Sequence, residues 1–277
     1  MKFSLIKYLF LISLFVCFFS CSKEWNKTGV YNTVKDSRVF FALQDLKNVL
    51  GANYIEANNT KKYQSNITLK IDTLAPLQKE GFLIKKQGNK IEVTGFDEAG
   101  LMYGTLELAE QIKLYGFEGV ENITRNPYME MRGPKFNIPL DVRTPSYTDV
   151  SDAAQNNISH MWDFSFWKDY IDTMARYRYN YISLWNLHPF PSLVKVPGYE
   201  DIALDDIQRS TIKWEENYSL MAIGFDAPEI LENPEIIKII SIDEKIEFWK
   251  KVMAYGKTRN IDFHMITWNI FDYGTQR

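Results

Sequence analysis

Two copies of one helix–strand unit, 82 residues apart, constrain the fold of this chain more than any other feature of its sequence. The first unit runs from the Phe-Trp-Lys at 166–168 to the Trp-Asn at 185–186, and the second from 248–250 to 268–269 with the same residue types. Helices that alternate with strands predict a parallel sheet. We interpret the two units as consecutive βα modules of a barrel, with chance similarity as the alternative.

The rest of the second half fits this interpretation. The hydrophobic pattern predicts strands over residues 131–140, 181–185 and 262–269. It predicts an amphipathic helix over 164–179, and a capping box at Ser241 opens a helix that runs to about Arg259. A complete (β/α)8 barrel needs on the order of 250 residues, whereas residues 130–277 supply 148. We therefore expect residues 127–277 to be the N-terminal part of a TIM barrel that is incomplete in this chain; a different architecture is the alternative.

Residues 37–126 predict a small α+β domain in front of the barrel. A helix over 37–50 ends at Gly51, and a half-buried strand follows over 66–74. A hairpin joins 80–86 to 90–95. Asp97 then caps a helix from 98 to about 113.

The first 20 residues are typical of a bacterial lipoprotein signal peptide. A short basic segment precedes an apolar run that is too short to span a membrane, and Ser20-Cys21 follows it. We expect cleavage before Cys21 and lipid on its thiol, which would anchor the protein to a membrane of the bacterial cell envelope. An ordinary secreted protein is the alternative. Residues 21–36 are polar and are interpreted as a tether. With Cys17 in the leader and Cys21 lipidated, no thiol remains for catalysis or a zinc site.

Composition excludes several classes of function. The net charge of −3 without a basic block argues against nucleic acid as a partner. No His-x-x-x-His element, acid cluster or Gly-rich phosphate loop appears, so we expect neither a metal nor a cofactor. His264 lies in a predicted strand and is expected in the core. The aromatic content of 15% suits a core and also flat ligands such as sugars. The oligomeric state stays open.

The order of motifs resembles bacterial α-glucuronidase-like glycoside hydrolases. The hairpin over 80–95 and the Gly-Leu-Met-Tyr-Gly of the following helix (100–104) resemble the accessory domain that precedes the barrel in families 67 and 20. Residues 132–137 resemble the first barrel strand in those proteins, and residues 183–195 resemble glucuronidase-like glycosidases. The resemblance implies hydrolysis of O-glycosyl bonds in polysaccharide or oligosaccharide fragments. It also implies that the catalytic carboxylates, which follow the fourth strand, lie beyond Arg277.

Candidate binding residues therefore come from the ends of the three strands, because barrel sites lie at the carboxyl ends of strands. Arg143 is a candidate for a bidentate pair with a sugar carboxylate; an ion pair that orders the loop is the alternative. The tryptophans are candidates for stacking on sugar rings and the asparagines for hydroxyl groups; core packing and loop capping are the alternatives. The full set of predicted substrate-binding residues is Asp141, Arg143, Trp185, Asn186, His188, Trp268 and Asn269.

Two functional hypotheses remain in addition to the exported glycoside hydrolase, which we expect to be inactive as this fragment. One is a non-catalytic carbohydrate-binding lipoprotein, and the other is the product of a decayed reading frame that does not fold.

Overall fold

The computed structural model describes residues 27–58, 63–144, 152–186, 190–211 and 233–267. The chain divides into two compact units, Met1–Tyr128 and Met129–Arg277. In the described parts, no helix is long and apolar enough to cross a membrane.

The first unit contains a mixed sheet of six strands. The strands are β1 (Thr28–Asn32), β2 (Tyr54–Glu56), β3 (Ser65–Ile71), β4 (Phe82–Gln87), β5 (Lys90–Gly95) and β6 (Ile123–Arg125), in the order β2-β1-β3-β5-β4-β6. The strands β1, β2, β3 and β5 run parallel, whereas β4 is antiparallel to both of its neighbours. The predicted hairpin is therefore confirmed, and Gly88 adopts the positive φ of 57° that its turn requires.

Two helices, α1 (Ser37–Leu50) and α2 (Glu98–Tyr115), pack against each other beside this sheet. Both begin where the sequence predicts. Asp97 accepts a hydrogen bond from the backbone N–H of Gly100 and caps α2. Helix α1 ends before Gly51, whose φ is 54°. Its buried face includes Val39, whereas Phe40 is 53% exposed.

The predicted tether over residues 21–36 is wrong for Thr28–Asn32, which forms β1 in the interior of the sheet. The strand was missed because its only aliphatic residue is Val30, which is buried in the core. Gly29 is needed here because a Cβ at this position would lie 2.3 Å from the ring of Tyr63.

The second unit is built on three parallel strands, as the sequence predicts. The elements are β7 (Lys135–Asn137), α3 (Asp152–Met161), α4 (Phe164–Arg176), β8 (Tyr181–Trp185), α5 (Phe190–Leu193), β9 (Asp206–Ser210), β10 (Pro234–Ile239), α6 (Ile242–Lys257) and β11 (Asp262–Ile266). Strand β8 lies between β7 and β11. The first strand is shorter than the predicted 131–140 because Pro134 and Pro139 bracket it and have no backbone N–H to donate.

The stretch between β8 and α6 contains an antiparallel pair of strands that was not predicted from the sequence. Strands β9 and β10 pair with a bulge between Ile236 and Lys238. The predicted capping box of α6 is confirmed: Ser241 and Glu244 bond to each other's backbone N–H.

The repeated helix–strand unit of the sequence is also a repeated structure. Trp167 and Trp249 occupy equivalent positions in α4 and α6; they are 0% and 4% exposed, and their rings meet edge to face at 5.2 Å. Helix α4 is followed by Arg178 with φ 63°, and α6 by Asn260 with φ 60°, again 82 residues later. The next residue in each unit, Tyr179 and Ile261, donates its backbone N–H to the carbonyl five residues back. Both helices thus end in the same left-handed turn.

Candidate functional site

The three-stranded sheet of the second unit has two different faces. Side chains alternate across a strand, so successive residues point to opposite faces. Phe136, Ile182 and Leu184 belong to the core that packs on the helices, as do Phe263 and Met265. The opposite face, which we call the polar face, consists of Lys135, Asn137, Tyr181, Ser183, Trp185, Asp262, His264 and Ile266.

Strand register arranges the polar face in rows. Asn137, Trp185 and Ile266 are partners at the carboxyl ends of the strands. Lys135, Ser183 and His264 form the next row, and Tyr181 with Asp262 the last. The inner faces of barrels are usually packed with branched aliphatic residues, but only Ile266 is aliphatic here. The polar face is therefore suited to polar contacts.

Trp185 stands at the carboxyl end of β8 on the polar face. Its indole N–H donates to Oγ of Ser183 at 2.6 Å, which fixes the plane of the ring. The Nζ atom of Lys135 lies 4.3 Å from the ring centroid, within cation–π range. Trp185 is half-buried and lies on the polar face, so it is not part of the core that packs on the helices. The arrangement provides an aromatic ring and a cation side by side.

Asn186, the next residue, is 2% exposed. Its side-chain N–H donates to the carbonyl of Ile138 at 2.8 Å, and its backbone N–H donates to the carbonyl of Ile266. It therefore ties the ends of the first and third strands to the second. These contacts correspond to the capping alternative; contact with a sugar hydroxyl stays a prediction.

Arg143 is engaged with two carboxylates. Its Nε and Nη2 atoms donate to the two oxygens of Asp141 at 2.7 and 2.8 Å, and Nη2 also pairs with Asp206. Asp141 has a side chain that is 0% exposed, and its second oxygen also accepts the backbone N–H of Gln208 at 2.9 Å. Burial would lower the pKa of Arg143, but the hydrogen bonds and charges of both carboxylates raise it. Arg143 thus forms the ion pair that was the alternative to binding a sugar carboxylate. These contacts link the segment after β7 to β9.

Lys245 of α6 is the second cation near Asp141 and Asp206. It is 0% exposed, and its Nζ donates to the carbonyls of Leu204 at 2.6 Å and Asp206 at 2.7 Å. Burial of the ammonium lowers the pKa of Lys245 from 10.5 to about 8, against the opposing pull of Asp141. For Asp206, burial would raise the pKa, but hydrogen bonds from Gln208 and Arg143 outweigh it and lower it. The connection between β8 and α6 is thus held by buried charge.

We expect the Lys245→Met variant to change how stability depends on pH. From about pH 8 to pH 10.5 the unfolded chain binds more protons at Lys245 than the folded chain, because the folded pKa is the lower one. The free energy of unfolding of the parent protein should therefore rise over this window relative to the variant, as measured by urea denaturation at each pH. Lys251→Met, an exposed lysine of the same helix, is the control. A difference between parent and Lys245→Met that stays constant from pH 7 to pH 10.5 would contradict the expectation.

Three of the predicted binding residues, His188, Trp268 and Asn269, lie outside the described residues. Of the other four, the structure groups Asp141 with Arg143 and places Trp185 beside Asn186. Sequence reasoning missed Lys135, Asn137 and Lys245. Alternation within β7 could have placed Lys135 and Asn137 on the polar face. His264, expected in the core, is exposed on that face and contacts the ring of Tyr181 at 4.6 Å.

The polar face carries side chains suited to binding a ligand, and one carboxylate. Glycoside hydrolysis usually needs two carboxyl groups on either side of the scissile bond. Of the eight residues of the polar face only Asp262 is acidic, and it lies in the row farthest from the carboxyl ends of the strands. Within the part of the chain that the structure describes, no group of His, Cys, Asp or Glu side chains could hold a metal ion.

Comparison with solved structures identifies the class of fold. A family 138 glycoside hydrolase, described as targeting pectin rhamnogalacturonan II, matches 88% of this chain at 22% identity with a TM-score of 0.61. A family 20 exo-β-N-acetylglucosaminidase from Vibrio harveyi matches 87% at 13% identity with a TM-score of 0.52. The chain has a glycoside hydrolase-like fold.

The match covers 32% of the length of each of these two proteins, so this chain spans about a third of either. No protein-family model matches the chain. No curated protein matches it either.

Proposed function

We propose that this chain is the N-terminal part of an exported glycoside hydrolase that acts on polysaccharide or oligosaccharide fragments. The observation that carries the proposal is the fold, which matches the family 138 enzyme over 88% of the chain with a TM-score of 0.61. In the proposal the catalytic carboxylates lie outside residues 1–277, which agrees with the single acid on the polar face. Residues 37–126 serve as the accessory domain.

The substrate that we propose is an acidic polysaccharide, as for the α-glucuronidase-like enzymes that the sequence resembles. The matched family 138 enzyme targets pectin rhamnogalacturonan II. The cation of Lys135 beside the Trp185 ring is consistent with a sugar that carries a carboxylate.

The proposal includes a lipid anchor at Cys21 in the bacterial cell envelope. Cells that express the protein with labelled palmitate should yield a labelled band, and Cys21→Ala should remove the label. A label that persists in Cys21→Ala would refute the anchor while leaving the enzymatic proposal in place.

Hydrolysis is tested with a panel of aryl glycosides and uronides. We expect residues 1–277 alone to bind sugar without turnover, and the product of the complete reading frame to cleave a member of the panel. Steady hydrolysis by residues 1–277 would place the catalytic groups within this chain. A complete product that cleaves neither the panel nor pectic fragments would refute the hydrolase.

The second candidate is a non-catalytic carbohydrate-binding lipoprotein. The observation in its favour is the polar face, which offers a tryptophan ring and polar side chains with one carboxylate. Oligosaccharide binding that Trp185→Ala abolishes, in a protein whose reading frame ends at Arg277, would favour this candidate over the enzyme.

A further inference from the structure

We propose that one edge of the first unit binds the anionic headgroups of a lipid bilayer and so orients that unit on its membrane. We call it the amino edge, because the parallel strands β1, β2, β3 and β5 all begin there. The inference rests on the lipid anchor at Cys21 that the proposed function includes. It goes further by assigning a second membrane contact, which the folded unit itself makes.

Only a short segment separates the proposed anchor from the amino edge. Strand β1 begins at Thr28, seven residues after Cys21. Because an extended chain spans no more than about 3.6 Å per residue, this segment reaches about 25 Å at most. A lipid on Cys21 would therefore hold the start of β1 close to the bilayer surface. The amino edge contains that start and is the part of the first unit nearest to the anchor along the chain.

Helix α1 ends at the amino edge. It leads directly through Gly51–Asn53 into β2, whose first residue, Tyr54, is paired with the start of β1. The Nζ atom of Lys27 donates to the carbonyl of Ala52 at 2.6 Å, which joins the start of β1 to the end of the helix. Lys47, in the last turn of α1, is exposed, and its Nζ lies 5.8 Å from the centroid of the Tyr54 ring. Two lysines thus lie where β1 and β2 begin.

Helix α2 ends at the same edge, beside the turn that joins β4 to β5. Its last residue is Tyr115, and Phe117 and Glu118 follow shortly after it. The Nζ of Lys86 lies 5.8 Å from the centroid of the Phe117 ring and pairs with a carboxylate oxygen of Glu118 at 3.3 Å. Because Lys86 is next to Gln87, the last residue of β4, these contacts hold the end of α2 at the amino edge.

The described residues of the amino edge carry a net positive charge, although the charge of the whole chain is −3. Lys90 and Lys113 are exposed, and neither forms an ion pair with a described residue. A protein surface attracts anionic lipid through the sum of its charges, so lysines that already touch a carbonyl or a ring contribute as well. The lysines at this edge are Lys27, Lys47, Lys86, Lys90 and Lys113, and the acids are Glu118 and Glu121.

Two large apolar side chains are exposed beside these lysines. Leu114 and Tyr115, directly after Lys113, are 60% and 68% exposed. Apolar and aromatic side chains next to lysines are typical of surfaces that lie in the headgroup region. A cation in the last turn of a helix also complements the helix dipole, which accounts for Lys47 and Lys113 without a membrane. It does not account for Lys90, which lies in a strand, or for the exposed apolar pair.

The short tether makes a few charges sufficient. It keeps the amino edge at a high local concentration beside the headgroups, so binding to the surface becomes an intramolecular step. Each lysine near an anionic surface strengthens membrane binding about fivefold. The lysines thus decide which edge of the first unit faces the lipid, while the anchor holds the chain at the membrane.

The test supplies the anchor chemically. The sequence has two cysteines, Cys17 and Cys21, so a mature chain that begins at residue 21 has a single thiol. This thiol is coupled to a maleimide phospholipid in vesicles of phosphatidylcholine alone, or of phosphatidylcholine and phosphatidylglycerol in equal amounts. The acetylation rate of each lysine is then measured by mass spectrometry at low ionic strength.

We expect Lys90 and Lys113 to react about fivefold more slowly on the anionic vesicles than on the neutral ones. Lys79 is the internal control, because it is exposed and precedes β4, which starts at the opposite edge. Its rate should be the same on both kinds of vesicle. Sodium chloride at about 1 M, where the screening length is about 3 Å, should remove the difference at Lys90 and Lys113.

Charge-reversal variants locate the contact. In the parent, Lys27 and Lys47 should also react more slowly on the anionic vesicles. In Lys90→Glu/Lys113→Glu they should react equally fast on both kinds of vesicle. Lys79→Glu makes the same change at the opposite edge and is the matched control, in which Lys27 and Lys47 should stay slow on the anionic vesicles. Far-UV circular dichroism shows that each variant is folded.

Equal rates for Lys90 and Lys113 on the two kinds of vesicle would overturn the proposal. Slowing of Lys79 to the same extent would also overturn it, because no edge would then be preferred. The same holds if Lys27 and Lys47 stay slow on the anionic vesicles in Lys90→Glu/Lys113→Glu.

The chemical anchor separates this proposal from the proposed function. The rates depend neither on lipidation in cells nor on hydrolysis. A missing palmitate label would refute the natural anchor at Cys21, and a complete product that cleaves no glycoside would refute the hydrolase, whereas equal lysine rates would refute the amino edge alone.

Discussion

Replacement of Trp167 by alanine is expected to lower the free energy of unfolding of the second unit by about 3–5 kcal/mol. The side chain is fully buried, and its ring meets those of Phe136 and Trp249 at 5.9 and 5.2 Å. The indole N–H also donates to the carbonyl of Met161 at 2.9 Å. Urea denaturation followed by far-UV circular dichroism measures the change.

The internal repeat supplies a matched comparison. Trp249 is the equivalent residue of the second module, but its buried indole N–H has no hydrogen-bond partner in the described part of the chain. Trp167→Phe therefore removes volume and a hydrogen bond, whereas Trp249→Phe removes volume and an unsatisfied donor. We expect Trp249→Phe to cost less by about 1–2 kcal/mol. Equal losses for the two phenylalanine variants would show that the bond to Met161 contributes nothing to stability.

The second large effect is expected for Asp141→Ala, which should destabilise the second unit by about 3–5 kcal/mol. The carboxylate accepts hydrogen bonds from the backbone and side chain of Arg143 and from the backbone N–H of Gln208. Its removal leaves a half-buried guanidinium whose remaining counter-ion, among the described residues, is Asp206. Tryptophan fluorescence during urea denaturation suits this measurement, because six of the seven tryptophans lie at or after residue 162.

Two further variants, both expected to lose less stability than Asp141→Ala, serve as comparisons. Asp141→Asn keeps the shape and two acceptor lone pairs, and should lose less than the alanine variant. Asp243→Ala breaks an ion pair with Lys195 in which both side chains are more than half exposed, and should change stability by less than about 1 kcal/mol. A loss for Asp141→Ala as small as that for Asp243→Ala would mean that the buried network does not hold β9 in place.

The sequence predicted the elements that local rules specify. Helices α2 and α6 begin at their predicted caps because Asp97 and Ser241 satisfy backbone N–H groups within their own first turn. Both ends of strand β8 were predicted correctly. Residues 181–185 follow a polar turn, and their side chains alternate between the two faces of the sheet. The parallel direction of β7, β8 and β11 was predicted from the alternation of helices and strands.

What escaped prediction depends on contacts between distant residues. Strand β1 owes its place to parallel pairing on both sides and to close packing against Tyr63, which its own residues do not signal. Strands β9 and β10 are fixed in part by the buried network of Asp141, Arg143 and Lys245, whose members are up to about a hundred residues apart in sequence. At the site, Trp185 was recognised by type, but its neighbour Lys135 was not, because only the register of β7 against β8 brings the two together.

The two left-handed turns after α4 and α6 give strands β8 and β11 the same start. At the amino ends of β8 and β11, Arg178 and Asn260 adopt the same left-handed conformation. The backbone N–H groups of Asn180 and Asp262 then donate to the carbonyls of Arg132 and Asn180, which lie just before β7 and β8. At the carboxyl end of β8, the connection to α6 holds the strand pair of β9 and β10 and the short helix α5. Loops on the binding side can therefore be exchanged or lengthened without a shift in strand register. Mutations in these loops can therefore change ligand preference while the strands keep their register.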